Sequence, residues 1–149
     1  MIQKPYLLGL TDYPAIMRVW EAAVRHTHDF LAEADIQALR EQLPEQILPG
    51  LTLYGVTRQN RLCGFIGIAD DSIEALFIDP VDQGCGIGSQ LLVFAVTCLH
   101  CCRVEVNEQN PAAMEFYQKH GFVPDGRSAV DHQGRPFPLL SLRKLRTDV

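Results

Sequence analysis

The sequence predicts an α+β (mixed α/β) fold in which a central, mostly antiparallel sheet is flanked by helices. Three observations carry this expectation. Two apolar strand-like runs, 51–56 and 62–68, are joined by the polar Arg58-Gln59-Asn60-Arg61, which is the pattern of a hairpin with antiparallel neighbours. A glycine string at 84–88 separates a strand-like segment from the apolar run 91–99, and an alternating segment follows at 101–107; the order strand, glycine loop, helix, strand describes a βαβ unit with one parallel step. The third is size, since 149 residues at 47% apolar and 21% charged fill one core and fall short of two ordinary ones. Residues 1–149 therefore read as a single domain.

Taken in order, Tyr6 to Leu10 reads as a short strand, after which Thr11 or Asp12 caps a helix with Pro14 in its first turn, running to about Arg25. A second helix, from about Ala32 to Leu43, places Ile36, Leu39 and Leu43 three and four apart. Between them, His26-Thr27-His28-Asp29-Phe30-Leu31 fits either a pocket lining or plain capping and core contacts. Pro44 and Pro49-Gly50 break the helical pattern ahead of the hairpin. The next strand, Ser72 to Ile78, ends at Asp79-Pro80, because a proline without an amide donor belongs outside a ladder. After the glycine string, the length of the apolar run favours a helix packed on the sheet. Asn110-Pro111 opens a last helix with Ala113, Phe116 and Tyr117 at helical spacing, and Gly121 supplies its exit. Strands at Phe122 to Val130 and Pro138 to Leu145, joined by a turn around Asp131 to Pro136, close the chain.

Composition narrows the function classes. The apolar fraction excludes wholesale disorder, and a net charge of −5 speaks against an extended nucleic-acid surface. No stretch reaches eighteen apolar residues and the N-terminus lacks a long apolar leader core, so neither membrane spanning nor secretion is expected. Five cysteines form an odd set, which favours a reduced, cytoplasmic protein over a disulfide framework or a zinc site; no metal is expected. Asp70, Asp71, Glu74, Asp79 and Asp82 fall within thirteen residues uninterrupted by a base. A cleft beside them would favour a cationic partner, and the alternative is an acidic solvated rim. Periodicity leaves the oligomeric state open.

In Gln83-Gly84-Cys85-Gly86-Ile87-Gly88-Ser89, glycines remove side chains where backbone amides can converge, and the following helix adds its positive N-terminal end. That arrangement suits a diphosphate, although a structural turn is the competing explanation of such a string. An ATPase-type loop would end in Gly-Lys-Ser/Thr, whereas this one ends in Gly88-Ser89, and no lysine lies between Lys4 and Lys119. A dinucleotide fingerprint would sit at a first strand, and this loop comes late, after an antiparallel region.

Gln83-x-x-Gly86-x-Gly88, followed by Asn110-x-x-Ala113-x-x-x-Tyr117-x-x-x-Gly121-Phe122, resembles the acetyl-CoA signature of the GNAT family of N-acetyltransferases. The segments 26–31, Ala75 to Pro80, Asn107 to Asn110 and Pro138 to Leu140 are similar to a branch of small bacterial members proposed to modify protein lysines. The resemblance implies a sheet splayed at its parallel strand pair. It also implies acetyl-CoA as donor, with its pyrophosphate on the amides around Gln83, Gly84, Cys85, Gly86, Ile87, Gly88 and Ser89. The edge of Leu76-Phe77-Ile78 would align the pantetheine arm, and Asn110 would help to position the cofactor. Tyr117 is then the group to protonate the departing CoA thiolate, an ordinary phenol near pKa 10 being a credible donor.

The acceptor implied is a primary amine, including a protein lysine. Attack requires its uncharged nitrogen, and Glu74, His28 or an ordered water are the candidates to take the proton. The loop departs from basic versions of the signature in carrying no arginine or lysine at 83–85; Arg103, Lys119 or Arg127 are candidates to compensate in space. Cys85 at the helix start is read as a small loop side chain or as an activated thiol. A small-molecule amine acetyltransferase and a noncatalytic CoA-binding regulatory domain are the alternatives to a protein-lysine acetyltransferase.

Overall fold

A computed structural model describes residues 4–27 and 30–145. The chain forms two compact units, Met1–Cys101 and Cys102–Val149, each considered by itself.

In the first unit a short strand β1 (Tyr6–Leu7) leads through a tight helical turn into α1 (Tyr13–Thr27) and α2 (Glu33–Gln42). Asp12 makes the entry, its Oδ2 accepting from the Gly9 amide at 2.8 Å. The break expected at Pro44 does not end the winding. The chain continues as a wide helical turn over Leu43–Ile47 and a tight one over Leu48–Gly50, because each proline occupies an opening position, where its missing N–H leaves no bond unmade. Three antiparallel strands follow, β2 (Thr52–Arg58), β3 (Arg61–Ala69) and β4 (Ser72–Ile78), with β1 pairing to β2. α3 (Ile87–Cys98) completes the unit.

The central position of β3 explains its continuous apolar sequence, since both of its faces are covered. Leu62 and Phe65 join Leu53, Ile16, Val19 and Trp20 in the core beneath α1. On the other face Gly64 lies under Ile87 of α3, and Tyr54 meets Phe94 with ring centres 5.0 Å apart. Two bulges interrupt the ladders. Val56 pairs with Gly64 and Thr57 with Leu62, which leaves Cys63 as the extra residue in β3. Gly67 pairs with Ala75 and Ile68 with Ile73, which leaves Glu74 as the extra residue in β4. The hairpin between β2 and β3 closes through Gln59 and Asn60 at φ 54° and 61°, both left-handed, as the twist of a two-residue turn requires.

The second unit is a three-stranded antiparallel sheet, β5 (Arg103–Asn107), β7 (Leu139–Lys144) and β6 (Phe122–Ser128), with β7 between the others and α4 (Pro111–Lys119) packed on it. Val104, Val106, Tyr117, Phe122 and Leu142 form its buried centre. The strands are shorter than expected at both ends: β5 begins at Arg103 rather than Cys101 and β6 stops at Ser128 rather than Val130.

Candidate active site

The glycine loop is built from both sides. Asp79-Pro80-Val81-Asp82 folds into a single tight turn, with Asp79 Oδ1 accepting from the Val81 amide at 3.2 Å. Gln83 leaves it in extended conformation, and Gly84 and Gly86 then take φ 82° and 79°, a region that costs any side-chain-bearing residue roughly 1–2 kcal/mol. Gly86 is the N-cap of α3, and the first intrahelical bond is Gln90 N to Gly86 O at 2.9 Å. The amides of Ile87, Gly88 and Ser89 therefore precede the helical ladder and carry the positive end of α3. A Cβ placed on Gly84 or Gly86 would meet nothing within 4 Å, so these glycines leave open space above the amides. Ile87, 1% exposed, anchors the start of the helix in the core.

The acidic segment is put to a use that its clustering does not reveal. Asp79 and Asp82 are buried, and cations from elsewhere in the chain hold them there. Arg61 donates to Asp79 Oδ2 at 2.9 Å and to Asp82 Oδ2 at 2.8 Å. Arg18 of α1 stands 3.8 Å from Asp79, and Arg58 stands 3.5 Å from Asp82. These two carboxylates are consequently closed to a cationic substrate. Asp70, Asp71 and Glu74 stay exposed, Asp70 at φ 55° in the β3–β4 turn and Glu74 at its bulge.

Leu76, Phe77 and Ile78 are half-buried on β4, opposite Ile66, Phe65 and Gly64. In the second unit, Asn110 caps α4, its Oδ1 accepting from the Ala113 amide at 3.2 Å. Tyr117 is 7% exposed, with its ring against Phe116 and Phe122 at 5.2 and 5.7 Å. Burial pushes the phenol above its ordinary value, which corrects the expectation of an unperturbed group: it is a weaker acid that stays protonated at every physiological pH. Arg127 is committed to Glu108 at 2.7 Å, and Lys119 is exposed on α4. His28 lies outside the described residues.

Two further side chains stand out in the structure. Arg58 comes from the hairpin and lies against the loop, donating to Cys85 Sγ at 3.1 Å. Asn107 ends β5 with its Oδ1 buried and without a hydrogen-bond partner among the described residues, and a buried acceptor left bare costs about 1–3 kcal/mol. Arg58 has no local signature, whereas Asn107 belongs to a segment that carries the resemblance. Cys98 and Cys101 stand at C-x-x-C spacing, yet both are unbridged, and no group of three His, Cys, Asp or Glu that could hold a metal ion occurs among the described residues.

Residues 20–138 match the acetyltransferase (GNAT) domain. The chain belongs to the GNAT acetyltransferase family. This GNAT protein is 42% identical over 128 residues to the peptidyl-lysine N-acetyltransferase YjaB of Salmonella typhimurium, covering 85% of the chain and 88% of that protein. The solution structure of apo YjaB from Escherichia coli superposes with a TM-score of 0.88 at 32% identity over 99% of both chains. The PaiA N-acetyltransferase of Thermoplasma acidophilum, solved with coenzyme A, shares the fold at a TM-score of 0.75 and 20% identity, over 95% of this chain and 98% of its own. The GNAT architecture, an α+β fold with a mixed antiparallel and parallel sheet flanked by helices, is thus that of this chain, which is an acetyl-CoA-dependent acetyltransferase. The residues of the first unit fit the cofactor: the open Gly84 and Gly86 cradle suits a diphosphate.

Proposed function

We propose that this acetyltransferase modifies a primary amine, with protein lysine side chains as its acceptors, in the cytosol. The acceptor class rests on the similarity to proteins named peptidyl-lysine N-acetyltransferase, at 42% identity for YjaB of Salmonella typhimurium and 39% for that of Escherichia coli. Acetyl-CoA, when bound, supplies the activated acyl group. The single observation that carries its placement is the loop itself, where Gly84 and Gly86 hold left-handed conformations with no atom within 4 Å of a would-be Cβ, at the free amide end of α3.

In this reading the chain's own groups divide the work. Amides of Ile87, Gly88 and Ser89 orient the anionic part of the donor, and the Arg18, Arg58 and Arg61 cluster holds the turn beneath them. The edge of the Leu76 to Ile78 strand aligns the pantetheine arm. Tyr117 holds a proton for the departing sulfur, and burial keeps the phenol neutral until that proton is needed. Asn107 Oδ1, which has no donor among the described residues, receives an N–H of donor or acceptor. Glu74 and His28 are the groups proposed to take the proton released by the amine, directly or through water. Residues 1–149 act as one catalytic domain, in keeping with the family match running from 20 to 138.

The test is a mass-resolved assay in which acetyl-CoA is offered with separate pools of small amines, lysine peptides and cellular proteins. Transfer to peptide or protein lysine, at a kcat/KM above that for small amines, is the expected result. Preference for a small amine would overturn the acceptor class, and CoA binding without turnover on any pool would replace the enzyme by a regulatory binding domain.

A further inference from the structure

The loop of this protein carries no basic side chain at 83–85, yet the structure brings one to it. The β2–β3 hairpin does so, together with groups from α1 and from the turn after β4. The left-handed pair Gln59-Asn60 sets Arg58 directly opposite Arg61. Two like charges facing each other across strands are destabilising unless something offsets them. The offset here is Asp79 and Asp82, buried at 6% and 3% exposure, which Arg61 bridges at 2.9 and 2.8 Å. Arg18 adds a third guanidinium at 3.8 Å from Asp79. Three guanidiniums thus face two carboxylates, and the cluster keeps a net positive charge immediately beneath the glycine loop.

The surplus is carried by Arg58. Arg61 makes short bonds to both carboxylates, whereas Arg58 stands 3.5 Å from Asp82 Oδ1 and spends its closest contact, 3.1 Å, on the sulfur of Cys85, a weak acceptor. Its side chain is 40% exposed. Cys85 lies between Gly84 and Gly86, the two residues whose left-handed backbone opens the cradle. A guanidinium so placed exchanges a poor acceptor for a phosphate oxygen by a small side-chain movement, and Asp82 loses little, because Arg61 remains on it.

We infer that Arg58, delivered by the hairpin, is the cation that binds the diphosphate of the acetyl donor in this protein, in the place of a basic residue within the loop. The inference rests on the reading of the loop as the diphosphate cradle. It assigns to Arg58 a charge-assisted contact, which the backbone amides by themselves do not supply. It also accounts for a loop that lacks lysine and arginine without losing its attraction for an anion.

The experiment is calorimetric titration of the purified full chain with CoA, with 3′-dephospho-CoA and with pantetheine. Arg58→Gln is expected to raise the Kd of CoA and of 3′-dephospho-CoA by the same factor, roughly tenfold, the scale of one hydrogen bond to a charged group. Pantetheine, which has no diphosphate, is expected to be unaffected. Thermal melts accompany the titrations, and Arg58→Lys carries the test if Arg58→Gln melts early: it keeps a charge near Asp82 but lacks the planar fork, so its Kd should fall between the other two. Unchanged affinity in a folded variant would overturn the inference, as would a loss confined to CoA, which would put Arg58 on the 3′-phosphate. Failure of the wild-type chain to bind either nucleotide would instead remove the cradle reading and this inference with it.

Discussion

Gly64 of β3 lies directly beneath Ile87, the first residue of α3: a methyl group on Gly64 would stand 3.0 Å from Ile87 Cγ2. The same methyl would fall 2.6 Å from Ile78 Cδ1 and 3.3 Å from the Phe77 carbonyl oxygen. Side-chain tips can yield, whereas a strand carbonyl and a helix start anchored in the core yield less. Gly64→Ala is therefore expected to destabilise the protein by about 1–3 kcal/mol, the usual cost of overpacking, which exceeds the roughly 0.4–1 kcal/mol gained by stiffening the unfolded chain. Urea unfolding checks this, and CoA titration of the folded fraction should show weakened binding, because the displaced element is the one that presents the loop amides.

Gly86→Asp tests the cradle itself. Gly86 sits at φ 79° with open space above it, so an aspartate costs roughly 1–2 kcal/mol in backbone strain and also sets a carboxylate over the amides. CoA affinity should fall by more than tenfold while circular dichroism keeps its native form. Gly86→Ala separates the terms, as it brings the strain without the charge and should bind CoA more tightly than the aspartate. Equal binding by all three proteins would remove the cradle.

Tyr117→Phe retains the ring that packs on Phe116 and Phe122 and deletes only the hydroxyl. Single-turnover acetyl transfer is expected to slow by roughly 10–1000-fold with CoA binding unchanged, on the scale of general acid catalysis. The pH dependence carries a sign. Because burial raises the phenol above its unfolded value near 10, the folded chain holds this proton longer than the unfolded one. The resulting stability is complete below pH 10 and is lost as the pH climbs from there through the folded value. Alkaline melts should thus lose stability above pH 10 in the wild type and less steeply in Tyr117→Phe, while the single-turnover rate shows no limb from this phenol below pH 10.

On the acid side Glu33 makes a modest contribution. Its two oxygens accept from Arg25 Nη1 and Nη2 at 2.7 and 2.8 Å, tying α2 to α1, and Gln37 adds a third bond at 2.9 Å. Chiefly through the Arg25 bonds, the carboxylate is held down to about 2. Its contribution is present above its ordinary range near 4.3 and disappears as the pH falls through about 2. The pair is exposed and solvent-screened, so the effect is modest and should shrink further in 1 M salt. Glu33→Gln is expected to lower the neutral Tm slightly and to flatten the acid limb of the melting curve between pH 4 and 2, so that the two proteins converge at the acid end.

The parts of this protein legible in sequence are those written in local patterns. The strand, glycine string and apolar helix at 72–99 follow from spacing alone, and Asn110-Pro111 marks the start of α4 where the Asn110 cap is found. What escaped depends on which side chains meet. Asp79 and Asp82 look like members of an acidic run because the arginines that neutralise them come from positions 18, 58 and 61. Arg58 looks like a solvated turn residue because its contact with Cys85 spans 27 positions of chain. The burial of Tyr117 was hidden for the same reason: helical spacing fixes a face, but only the arrival of Phe122 from the next strand closes over it.

The extra residue at Cys63 governs parity. In an unbroken strand odd and even positions face opposite ways, and Gly64 faces α3 while Phe65 faces α1. Strict alternation would send Leu62 toward α3 and Arg61 toward α1. The bulge reverses that count, so Leu62 joins the core under α1 and Arg61 comes round beside Arg58. The bulge thus absorbs one inserted amino acid, and Leu62 and Arg61 keep the sides that their partners Thr57 and Arg58 dictate. Removing Cys63 would subtract a thiol bonded to the Val56 carbonyl and close the ladder into unbroken alternation, with Leu62 and Arg61 left on the faces they now occupy. For a lineage drifting by small insertions and deletions, this bulge is where the count of residues can change by one without turning the hairpin over.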